Sequence, residues 1–76
     1  MQYVNVSIDA GDRRVFEEEF WTWEKARPRP PGALGHSAMM PAMSGPWPDG
    51  RCNYMRVPEP FLEVLKTKGF SYRGIA

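Results

Sequence analysis

The segment RPRPPGALGHSAMMPAMSGPWPDG, residues 27–50, does most to limit what this chain can become. It holds six of the eight prolines in a chain of 76 residues. Proline fixes φ and has no backbone N–H to donate, so neither a helix nor a long strand can run through such a stretch. Regular structure must come from the remaining residues, about fifty of them, which is close to the lower limit for independent folding. A chain this short reads as one domain, spanning residues 1–76, so the segment is not a linker between two. Met39, Met40, Met43 and Trp47 also lie in it. Leaving them in water would forfeit several kcal/mol, at about 25 cal/mol per Å² of apolar surface. The expectation is a partly anchored loop: methionine and tryptophan side chains pinned to a sheet, with RPRPP and GHS exposed.

Composition narrows the class further. The chain is 42% hydrophobic and 13% aromatic with a net charge of +1, which argues against wholesale disorder. So even a balance gives no whole-chain electrostatic footprint for nucleic acid or membrane. Cys52, the one cysteine, has no intrachain disulfide partner. The opening residues MQYVNVSIDAGD have neither the basic region nor the apolar run of a signal peptide, and no window approaches a membrane span. A soluble cytoplasmic protein is the expectation.

Periodicity then places the elements. In residues 2–9, Val4, Val6 and Ile8 alternate with Asn5, Ser7 and Asp9, the signature of a half-buried strand, and Ala10-Gly11-Asp12 reads as a turn. Residues 13–25 carry two patterns. As a helix, Phe16, Phe20 and Trp23 fall at i, i+4 and i+7 behind Asp12 as N-cap; as a strand, FWTW has the better propensity. The strand reading, a hairpin with the first strand, is preferred. In residues 51–57, Cys52, Tyr54 and Arg56 alternate with Arg51, Asn53, Met55 and Val57. Residues 59–68 form the clearest helix: prolines open it, Phe61, Leu62, Val64 and Leu65 make its apolar face, Lys66 and Lys68 suit its last turn, and Gly69 stops it. Phe70 and Tyr72 suggest a short last strand. The resulting architecture is α+β: a sheet of three or four strands, antiparallel or mixed, with one C-terminal helix on it and the long 27–50 loop. With residues 13–25 helical instead, the order becomes β-α-β-α-β, close to a split-βαβ arrangement.

The chemistry-bearing residues form no catalytic set. His36 is the only histidine, and GHSAM has Met39 where a nucleophile elbow needs its second glycine. Cys52, His36 and Asp49 match no zinc spacing, and the run Glu17–Glu19 with Glu24 reads as a solvated face rather than facing carboxylates. No glycine pattern cradles phosphate. No enzyme activity, metal or cofactor is therefore expected. Pro28 and Pro31 beside Arg27 and Arg29 fit a polyproline II segment that docks on aromatic grooves, although a stiff exit from a strand or helix is the preferred reading.

Two functions are compatible with these residues. The preferred one is a non-enzymatic protein-binding module, an accessory or inhibitor occupying a surface of a larger partner; size alone suggests the kind encoded by phages and mobile elements. Its contact residues would be Trp21, Trp23, Arg27, Arg29, Met39, Met40 and Trp47, types enriched at interfaces. The alternative is a single-stranded nucleic-acid-binding domain using Tyr3, Arg51, Tyr54, Arg56 and Arg73, provided that the glutamates near Trp21 and Trp23 sit on the opposite face. Dimerisation is one way for so small a core to cover its aromatics.

Overall fold

A computed structural model describes residues 2–27 and 40–75. Strand β1 (Tyr3–Asp9) leads through a 3-10 turn (Ala10–Asp12) into helix α1 (Arg13–Ala26). After the undescribed stretch come β2 (Ala42–Ser44), β3 (Arg51–Pro58), helix α2 (Glu59–Thr67) and β4 (Arg73–Ile75). The sheet runs β2-β3-β1-β4, and its three pairings are all antiparallel. Two helices inserted in a four-stranded antiparallel sheet of this order make an α+β domain of the split-βαβ kind.

The hairpin preferred for residues 13–25 is overturned: they are helical. Residues 16, 20 and 23 form one stripe at helical spacing, and tertiary packing of that stripe overrides the strand propensity of FWTW. Phe16 and Phe20 are wholly buried, and Trp23 packs against the same cluster. Asp12 makes no side-chain cap bond; Asp9 instead accepts the Gly11 N–H at 2.8 Å, which steers the chain from strand into helix. One consequence separates the two aromatics of the WTW triplet. Trp23 turns inward, whereas Trp21, two residues away, turns outward and stays 40% exposed.

Both helices cover one face of the sheet. Phe16 stacks on Tyr54 with ring centroids 4.2 Å apart and meets Phe61 of α2 edge-on at 5.4 Å. Phe20 meets the same Phe61 at 5.3 Å, so this ring joins α1 to α2. Val6, Ile8, Cys52 and Val57 complete the core from the sheet side. Helix α2 presents Phe61, Leu62 and Leu65 inward and is followed by Gly69 at φ 78°, where a left-handed residue ends the helix.

Strand β3 departs from simple alternation. Opposite Asn5 the register shifts, so that Met55 and Arg56 together face one residue of β1. Arg56 takes φ 57°, and its N–H donates to Asn5 Oδ1 at 3.0 Å. The bulge brings Val57 into the core, although strict alternation puts it on the face away from Cys52 and Tyr54. The last strand also starts later than its apolar pattern suggests. Phe70 and Tyr72 pack against the core from the connection, and β4 begins at Arg73.

The 27–50 segment is not one continuous loop, because β2 occupies Ala42–Ser44. Met40 and Met43 pack against the core as expected of anchors, but Trp47 does not; it remains 48% exposed in the β2–β3 connection. That connection is set by Gly45 at φ 111°, where an added Cβ would lie 3.0 Å from the Arg51 carbonyl oxygen. Arg29, Met39 and His36 lie outside the described residues, as does most of RPRPP.

Candidate functional site

With both helices on one side, no element among the described residues covers the other side of the sheet, and strand register determines what this open face carries. Val6 and Ile8 point to the core, so Tyr3, Asn5, Ser7 and Asp9 point away from it. Residues directly opposite in an antiparallel pair share a face. Asn53 pairs with Ser7 and Arg51 with Asp9, which puts both on the open face. Ile75 pairs with Asn5 and Arg73 with Ser7, so β4 adds both of these. Met55, 40% exposed, pairs with Ala42 on β2, and Ser44 pairs with Asn53.

Three arginines converge on this face. Arg51 lies over Ser7, donating from Nε to the Ser7 hydroxyl at 2.7 Å and from Nη2 to the Ser7 carbonyl oxygen at 2.8 Å. Those two bonds hold the guanidinium in one orientation and account for the burial of Ser7 on an otherwise open surface. Arg56 reaches Tyr3, its guanidinium carbon 5.2 Å from the ring centroid, a cation–π distance. Arg73 is exposed and faces Ser7 across the β1–β4 ladder.

The helix layer is close to charge-balanced, whereas the open face carries three arginines against one carboxylate. Six of the nine acidic residues lie on α1 and α2. Four of the six are paired there with bases of the same layer: Arg13 with Glu17, Arg14 with Glu18, Arg27 with Glu24 and Lys68 with Glu19. Among the described residues, none of the ion pairs involves Arg51, Arg56 or Arg73. Asp9, at the rim beside Arg51, is the one carboxylate on the open face of the described strands.

Of the five residues expected for nucleic-acid contact, Tyr3, Arg51, Arg56 and Arg73 are thus on one surface. Tyr54 is not. It is buried on the core face, stacked on Phe16, with its hydroxyl donating to Glu17 Oε2 at 2.6 Å. Burial, and then that bond to a carboxylate, pushes the phenol well above its ordinary range, while the same bond holds the Glu17 carboxyl low. In the sequence Tyr54 and Arg56 share a face by alternation; the bulge sends them to opposite sides. Asn5, Asn53, Met55 and Ile75 were not among the expected contact residues, and the pairing register that gathers them with the arginines is not written in any single strand.

The residues expected at a protein interface are dispersed. Trp21 stands on the outer side of α1 above a shallow groove with Arg14 and Glu18, and Trp47 stands in the β2–β3 connection. Trp23 contacts Phe20 and Phe61, and Arg27 lies over it at 4.9 Å while pairing with Glu24. Met40 belongs to the core boundary. Among the described residues no group of three or more histidine, cysteine or carboxylate side chains is arranged to hold a metal, and no helix is long and apolar enough to cross a membrane. Compared with protein-family models, curated proteins and solved structures, the chain matches none.

Proposed function

We propose that this chain is a single-stranded nucleic-acid-binding module that uses the open face of its sheet. The observation that carries the reading is the convergence of Arg51, Arg56, Arg73 and Tyr3 on the face opposite the glutamate-bearing helices. A cationic sheet face with an exposed aromatic ring matches what a single strand offers: phosphates for the guanidiniums and a base for the ring. Tyr3 is 50% exposed and Met55 40%, so apolar contact area is available between the charges. The topology itself carries no weight, because this layered arrangement serves many unrelated functions.

Binding of a labelled single-stranded oligonucleotide across a salt series tests it. Each neutralised phosphate of a single strand adds about −0.7 to the slope of log K against log salt, so three arginines give about −2. Replacing Arg73 by Ala should reduce that slope by roughly 0.7. Absence of binding at low salt removes the reading.

A second reading, a protein-binding module, is favoured by the exposure of Trp47 and Trp21, 48% and 40%. Exposed tryptophans anchor interfaces. Capture of a specific protein from the source lysate that is lost with Trp47→Ala supports it. An identical set of captured proteins with Trp47→Ala and Trp21→Ala speaks against it.

A further inference from the structure

Two acceptor-bearing residues at the centre of the open face, Asn5 and Ser7, already accept from the protein's own donors. Asn5 Oδ1 takes the Arg56 N–H at the bulge, which orients the amide and occupies one of the two lone pairs of its oxygen. The Ser7 hydroxyl and carbonyl oxygens both accept from Arg51. Arginine has no acceptor at all. Further acceptors are the Tyr3 hydroxyl, the Asn53 amide and the Ser44 hydroxyl toward β2, and Asp9 at the rim, none of them on β4 where Arg73 stands. The Arg73 side chain makes no hydrogen bond or ion pair among the described residues, so its donor fork is uncommitted.

We infer that, in addition to holding phosphates, this face selects bases that present two adjacent acceptors, and that Arg73 is the residue that reads them; the inference rests on the single-strand reading above. Asparagine reads adenine by using its oxygen and its amide nitrogen together on N6 and N7. At Asn5 that pairing has to share the oxygen with the Arg56 N–H, whereas the Arg73 fork is shared with nothing among the described residues. A guanidinium fork needs two acceptors side by side. Guanine offers them at O6 and N7, and unpaired cytosine offers them at O2 and N3. Adenine, thymine and uracil alternate donor and acceptor around their edges and offer no such pair. A strand rich in guanine or cytosine therefore satisfies the fork with two parallel bonds, whereas the others leave half of it unpaired.

Equal-length labelled oligo(dC) and oligo(dT) test this at a pH where cytosine is neutral. Both are flexible pyrimidine strands, so the comparison isolates the base edge. Tighter binding of oligo(dC), by about fivefold or more, is expected from one bidentate contact. Arg73→Lys keeps the charge and removes the fork, so it should bring the two affinities together while leaving the salt slope unchanged. Equal binding of the two strands by the unaltered protein overturns the inference and leaves the single-strand reading standing. A preference for oligo(dC) that survives Arg73→Lys overturns the role of Arg73. No binding of either strand at low salt removes both the inference and the reading beneath it.

Discussion

Tyr54 shows how one side chain joins the layers. Its ring fills the core beneath Phe16, and its hydroxyl emerges far enough to reach Glu17 at 2.6 Å, which Arg13 also holds at 3.1 Å. A hydrogen bond to a carboxylate contributes more than one between neutral groups, so Tyr54→Phe should cost about 1–2 kcal/mol in a urea titration. The pH dependence follows from the directions of the two shifts. Glu17 ionises at lower pH in the folded chain than its ordinary 4.5, so its contribution is full above that value and is lost as pH falls through the folded value. Tyr54 is shifted the other way, above its ordinary 10.0, so its contribution is full below pH 10 and is withdrawn as the pH rises further. Tyr54→Phe should flatten the stability profile at both ends. A profile that keeps its full slope in the variant would mean that other groups govern it.

Among the elements, β3 is the one whose conformation creates the candidate surface. Without the bulge, Arg56 would lie on the core side with Cys52 and Tyr54, where an unpaired guanidinium is costly to bury. The extra residue sends it to Tyr3 instead and brings Val57 into the core. This is achieved with a non-glycine residue at φ 57°, a conformation that costs a side-chain-bearing residue roughly 1–2 kcal/mol. Arg56→Gly and Arg56→Ala both delete the guanidinium, but only glycine relieves the backbone. The glycine variant should therefore be the more stable of the two by about 1 kcal/mol in thermal melts. Equal stability would show that Arg56 is unstrained in solution.

For the molecule as a whole, the important contrast is between its two sides. One is an aromatic core under two helices whose glutamates are mostly paired; the other is a sheet face with three arginines. Phe16 is where α1, α2, the sheet and the C-terminal connection meet, touching Tyr54, Phe61 and Phe70. Truncation of a buried phenylalanine costs about 3–5 kcal/mol. Small domains have total stabilities near the low end of about 5–15 kcal/mol, so Phe16→Ala should abolish most of the cooperative thermal transition. Val15→Ala, next to it in sequence but 48% exposed, should stay within about 0.5 kcal/mol of the parent. Comparable losses in both would place the core elsewhere.

The sequence by itself determined the strand at Val4-Val6-Ile8, the helix opened by Pro58 and Pro60 and stopped at Gly69, and the α+β class. In each case the signal is local, since a period of two, a capping glycine or a proline acts within a few residues. Tertiary structure alone decided whether residues 13–25 became helix or strand, because both patterns are present and only burial of Phe16 and Phe20 against Tyr54 and Phe61 separates them. It also decided which side of β3 faces the core. Tyr54 and Arg56 are indistinguishable by alternation, and the bulge that parts them depends on Asn5, 51 residues away. The four nucleic-acid candidates gathered on the open face were legible as residue types. Their convergence was not, because strand register is a long-range property set by the buried face of the sheet.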